Sequence, residues 1–130
     1  MPFFVFVRAI LKAAQVVRDE GIAKPILLGN KEKINKLIEE HHLDLGDMPI
    51  IDPWLHEEEA KRMEFGDLLW HKRNRRGLTQ YDARKLMRDR NYFGATMVEL
   101  GLADAMISGL TRKYNVPIKP ALEIIGVQQD

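Results

Sequence analysis

Apolar and polar positions switch between two periods along this chain, and each switch marks an element. Across residues 7–20, Ile10, Leu11, Ala14 and Val17 recur at helical spacing, and Gly21 is placed to stop the helix. Pro25, Ile26, Leu27 and Leu28 form a continuous apolar run ended by Gly29, the pattern of a strand buried on both faces. Asn30 can cap a second helix through about Glu40, with Ile34, Leu37 and Ile38 sharing one face. Residues 48–51 make a second short apolar run, closed by Asp52-Pro53. Helical spacing returns over 56–72, where Ala60, Met63 and Leu68 or Leu69 supply the buried stripe, and Gly77 ends it. Thr79 caps the next helix, with Asp82 where a capping box carries Glu or Gln. A further helix over 91–100 stops at Gly101 and gives Tyr92, Phe93, Met97, Val98 and Leu100 to the core. A strand over 105–107, a Ser108-Gly109 loop and a helix over 118–125 complete the pattern.

Short apolar strands alternating with helices predict an α/β fold, a parallel sheet covered by helices on both faces. A length of 130 residues fits one domain, and no repeat, linker or low-complexity tract divides it. The chain has no cysteine, which removes disulfides, thiolate metal sites and cysteine nucleophiles and fits a cytoplasmic setting. No apolar run reaches the roughly 20 residues that span a bilayer. The opening run lacks the positive start of an export signal and is interrupted by Arg8 and Lys12. A net charge of +1 and the absence of any nucleic-acid motif argue against a nucleic-acid partner, although residues 72–90 carry eight Lys or Arg against two Asp. His41 and His42 are adjacent and point apart, with His56 and His71 distant in sequence, so the histidines predict no metal site.

Candidate chemistry concentrates in residues 92–126. Ser108-Gly109 follows a strand and leads toward a helix, where open α/β sheets bind ligands and free helical N–H groups favour anions. Gly109 lets backbone approach a phosphate, and Ser108 and Thr111 can donate hydrogen bonds; an ordinary strand-to-helix loop would need the same glycine. The densest positive charge, His71 to Arg76, either complements a helix C-terminus or grips an oxyanion. The first reading suits Arg75 and Arg76, and both remain open for Arg73. Lys119 either attracts a phosphate or is a solvated lysine at a helix start.

Three segments, AAQVVRDEGIAKPILLGNKEKI, RRGLTQYDARKLMRDRNYFGATMVELGLADAMISG and IKPALEIIG, extend the picture. Over about residues 12–126 they resemble, in order, the first half of the phosphate acetyl/butyryl transferases. That resemblance implies the first half of the phosphotransacetylase (isocitrate/isopropylmalate dehydrogenase-like) fold. It also implies acyl-CoA or acyl phosphate as ligand, with coenzyme A or acetyl-CoA as the diffusible co-substrate. Arg73 and Lys119 take the places of two site arginines, Lys119 exchanging a planar fork for a point charge. SGLTRKY is similar to the phosphotransacetylase-like domain at the C-terminal end of bacterial NADP-dependent malic enzymes, which implies a regulatory acetyl-CoA-binding role. Stand-alone transferases usually have His-Ser where this chain has Arg112-Lys113, so Arg112 is assigned to binding. The alternative is a phosphate acetyltransferase in which Arg73, Ser108 and Lys119 hold the phosphoryl group. Residues 1–9 depart from the family pattern. The Ser, Arg and Asp that complete the transferase site belong to the family's second half, beyond Gln128-Gln129-Asp130, so the resemblance implies a need for that half or for a homo-oligomer.

Overall fold

The computed structural model describes residues 3–6, 11–108 and 115–126. Among these residues, four parallel strands, β1 (Phe3–Phe6), β2 (Lys24–Leu28), β3 (Ile50–Ile51) and β4 (Ala105–Ile107), form one sheet in the order β3-β2-β1-β4. The chain steps outward from β1 through β2 to β3, then returns to the other side of β1 to place β4. The direction of winding therefore reverses between β1 and β4.

Among the described residues, six helices cover the sheet: α1 (Leu11–Asp19), α2 (Lys31–Glu40), α3 (Glu59–Arg73), α4 (Gln80–Leu86), α5 (Arg90–Glu99) and α6 (Asn115–Ile124). Strand β2 shows why the sheet needs cover on both sides. Its Leu27 joins a core with Leu11 and Ala14 of α1 and Ile34 of α2, whereas Ile26 and Leu28 join a second core. That second core holds Phe65 and Leu69 of α3, Met87, and Phe93 and Met97 of α5. The Phe65 and Phe93 rings meet at 4.8 Å between centroids, tilted by 59°. Each such burial contributes about 1.5–3 kcal/mol before entropy is counted. The two-sided run at 25–28 is the expected reading, and the α/β class with a parallel sheet is what the structure shows.

Helix α5 is buried from Asn91 to Met97, all around its circumference. A helix with so little polar face is one enclosed by its neighbours, here β4, α3 and α6. Helices α3 and α4 approach closely because Gly66 has no side chain: a Cβ there would lie 2.5 Å from the Cα of Arg84. Asp67 then grips Arg84 with two hydrogen bonds, 2.9 and 3.1 Å, and accepts a third from Gln80.

Several boundaries differ from the sequence expectations. Residues 3–6 are the central strand, paired with β2 through Phe4 opposite Pro25 and with β4 through Phe4 opposite Ala105. Apolar run 48–51 pairs as a strand only at Ile50–Ile51, since the Met48 N–H turns back to Leu45. The helix expected over 56–72 opens with a 3-10 turn at His56–Glu58 and extends to Arg73. The last helix begins at Asn115 rather than 118, because Pro117 falls in its first turn, where N–H groups lack partners anyway. Gly77 stops the third helical segment as expected, at φ 87°.

Candidate functional site

Ligands of open α/β sheets bind beyond the carboxyl ends of the strands, at the point where winding reverses. In this chain that point lies between the ends of β1 and β4, and Ser108 is the first residue after β4. Its Oγ donates to Oδ1 of Asn91 at 2.7 Å, tying the strand end to the first turn of α5. Asp89 caps that helix, accepting from the Asn91 N–H at 2.7 Å.

Arg73 and Lys119 stand on different helices. Arg73 is the last residue of α3, and Lys119 lies on α6. Tyr92 of α5 connects to Lys119 through Glu123: its hydroxyl donates to Oε2 of Glu123 at 2.9 Å, and Oε1 of Glu123 is 3.9 Å from the Lys119 Nζ. Burial, then the hydrogen bond to Glu123, push the Tyr92 phenol well above its ordinary value, while the charge of Arg73 pulls it the other way. Glu123 is mostly shielded, whereas the Lys119 side chain is 69% exposed. The arrangement is a buried acceptor and phenol behind an outward-facing cation. It can hold an anion at its rim and cannot readily supply a proton from Tyr92.

Of the sequence candidates, Ser108 bonds to Asn91 at the start of α5, Lys119 connects to Tyr92 through Glu123, and Arg73 ends α3. Gly109, Thr111 and Arg112 lie outside the described residues. Arg75 and Arg76 occupy an exposed 3-10 turn after α3, in keeping with favourable charge at a helix end. The apolar pattern marks Tyr92 as core alone and gives Glu123 no role. The ring is indeed buried, but its hydroxyl finds a partner 31 residues away. Only the Lys119–Glu123 spacing of four, a helical neighbour pair, was there to be noticed.

A second concavity, of about 690 Å³, opens at the carboxyl ends of β2 and β3. Gly29, Asp52 and Trp54 form one wall, and Lys85, Arg88 and Asp89 another. Asp52 is buried and fully engaged: Oδ2 accepts from the Lys31 N–H at 3.2 Å and Oδ1 from the Trp54 N–H at 3.1 Å. With Asn30 accepting from Lys33, the Lys31 and Lys33 amides at the start of α2 are thus occupied by the chain itself. Among the described residues, no group of three or more His, Asp or Glu is placed to hold a metal ion, and no helix is long and apolar enough to cross a membrane.

Known proteins sharpen this picture. The sequence profile described as Phosphate acetyl/butaryl transferase matches residues 8–130. A phosphate acetyltransferase from Helicobacter pylori is 39% identical over 116 residues, covering 89% of this chain and 22% of that protein. Another from Synechocystis sp. is 36% identical over 121 residues, covering 92% and 17%. In three dimensions the chain is similar to the EutD phosphotransacetylase from Staphylococcus aureus, with a TM-score of 0.80, 26% identity and coverage of 98% and 38%. It is likewise similar to a phosphotransacetylase from Streptococcus pyogenes, with a TM-score of 0.78, 32% identity and coverage of 95% and 37%. The chain therefore spans about a fifth of the length of those two relatives and over a third of the solved structures. These names support the transferase reading; the regulatory malic-enzyme reading draws nothing from them. On the match over residues 8–130, the chain belongs to the phosphate acetyl/butyryl transferase family.

Proposed function

We propose that this chain supplies the phosphate-facing part of a site that moves an acetyl group between acetyl phosphate and coenzyme A in the cytoplasm. The observation that carries the reading is Ser108 at the reversal point of the sheet, bonded to Asn91 in the first turn of α5, beside the Tyr92–Glu123–Lys119 chain. In this reading Arg73 and Lys119 hold the phosphoryl oxygens and Ser108 donates a hydrogen bond. The thiol sulfur of coenzyme A attacks the acetyl carbon, the S–C bond forms, and the C–O bond to phosphate breaks. Inorganic phosphate departs with the bonding pair, and the thiol proton passes to phosphate or solvent. Catalysis is then a matter of position and charge stabilisation. The chain spans only part of the length of its relatives, so we assign the remaining groups to further polypeptide or to a second copy.

A second reading, a regulatory acyl-CoA-binding module of a malic enzyme, rests on Lys119. It stands where a transferase has Arg, and Glu123 already neutralises part of its charge. A transfer assay with acetyl phosphate and coenzyme A, paired with calorimetric titration of acetyl-CoA, separates the two. Thioester formation that falls at least tenfold in both Arg73→Ala and Lys119→Ala supports the transferase. Acetyl-CoA binding without turnover supports the regulatory module. Neither binding nor turnover sinks both.

A further inference from the structure

The cleft beside Trp54 has the features of a ligand site in its own right. Its volume falls in the range of small-molecule pockets, roughly 300–1,000 Å³. Trp54 lies on its wall yet is 67% exposed, which is unusual for the largest aromatic side chain. The Arg88 guanidinium sits 5.2 Å from the Trp54 ring centroid, a cation over a π face. Lys85 lies one turn before Arg88 and also lines the cleft. Among the described residues neither cation has an ion-pair partner.

Three carboxylates, Asp52, Asp82 and Asp89, line the same cleft as Lys85, Arg88 and Arg90 and balance their formal charge, so what matters is which groups face a ligand. Asp52 keeps its charge but turns its oxygens to the amides of Lys31 and Trp54, and Asp89 turns one oxygen to the amide of Asn91. Asp82, at the exposed start of α4, is the remaining acid and is open to solvent screening. A flat ring with an open face beside two cations suits a ligand that is planar at one end and anionic at the other. Bases stack on aromatic side chains whatever their sequence, and Arg and Lys take phosphate.

We propose that this cleft binds a nucleotide: the base stacks on Trp54, and its phosphates lie against Lys85 and Arg88. The ligand is either a free nucleotide or the nucleotide end of coenzyme A, which share that chemistry. The second source is sterically reasonable. Asp89 lines the cleft two residues before Asn91, the partner of Ser108, and two steps across a sheet at about 4.8 Å each separate the ends of β4 and β2.

The chain has two tryptophans, so Trp70→Phe isolates the emission of Trp54. Titration with ADP or adenosine 3′,5′-bisphosphate is expected to quench it saturably, with adenosine at least tenfold weaker. Calorimetry on the unaltered chain gives the same constant without relying on Trp70→Phe. Lys85→Gln combined with Arg88→Gln should weaken ADP at least fivefold, and Trp54→Leu should remove binding; all three side chains are exposed, and circular dichroism confirms the variants fold. Displacement of ADP by coenzyme A assigns the cleft to the nucleotide end of coenzyme A. ADP binding that coenzyme A does not disturb assigns it to a free nucleotide. No saturable binding of ADP, adenosine 3′,5′-bisphosphate or coenzyme A at millimolar concentration, or binding indifferent to Trp54→Leu, overturns the proposal. The acyl-transfer reading is tested separately, since Lys119→Ala should weaken acetyl phosphate and leave ADP untouched.

Discussion

At the scale of single residues, two side-chain decisions govern this molecule. Gly66 is the first. A methyl group there would meet the Arg84 backbone at 2.5 and 2.8 Å, and backbone cannot swing aside as a side chain does. Gly66→Ala is therefore expected to cost about 1–3 kcal/mol through overpacking, despite alanine's better helix propensity. A lowered urea midpoint with an unchanged slope would show it, and an unaltered midpoint would mean that α3 and α4 separate freely. Tyr92 is the second. Its phenol is raised above the ordinary value of 10.0 by burial and by Glu123. A group whose folded pKa is raised adds stability in full below the unfolded value and loses it as pH climbs through the folded one. Tyr92 should thus stay protonated up to the alkaline transition and ionise only as the chain unfolds. Difference absorbance and circular dichroism are expected to change together at that pH, and Tyr92→Phe should remove the coupled ionisation. Tyrosinate appearing well before unfolding would contradict the buried hydrogen bond.

At the scale of elements, what could be read from the sequence was whatever local chemistry decides. Asn30 and Thr79 were expected to cap helices and do, accepting from Lys33 at 3.0 Å and Asp82 at 3.1 Å. Asn30→Ala should lower stability by about 1 kcal/mol, measured by urea denaturation. A loss much smaller than that would show that Asp52, which already serves the Lys31 amide, carries the cap by itself. The central strand escaped notice for a non-local reason. Its partners are 21 residues away in β2 and about 100 away in β4, and no turn residue separates it from Arg8. The cap of α5 is hidden in the sequence too, because Asp89 stands three positions before Tyr92, the first apolar residue of the pattern. The same limit applies to the site. Ser108 was legible as a strand end, and Arg73 and Lys119 came from family resemblance. The Tyr92–Glu123 bridge and the Trp54 cleft are assembled from segments that only the fold brings together.

At the scale of the whole molecule, the sheet decides how far these parts can function on their own. Strand β4 pairs with β1 and, among the described residues, with nothing on its other side; Ile107 on it is 40% exposed. Unpaired edges invite another strand, in keeping with a chain that spans 38% of a solved relative. Yet both faces of the sheet carry a packed core, and the larger one joins β2, α3, α5 and α6, the elements that hold Arg73, Tyr92 and Lys119. The site region and the core are thus one cooperative unit, so ligand binding should be felt as global stability. Ligand at 100 times its dissociation constant adds about 2.7 kcal/mol to the native state. At roughly 3–4 °C per kcal/mol for a domain of this size, excess acetyl-CoA should raise the thermal midpoint by about 10 °C. A cooperative melt followed by circular dichroism that rises by that amount would place a working acyl-CoA site on these two cores. A cooperative melt that ignores acetyl-CoA would leave the scaffold standing and remove the binding claim. A melt without cooperativity would show that the β4 edge must be covered before either core holds, and would move the function to the assembly that covers it.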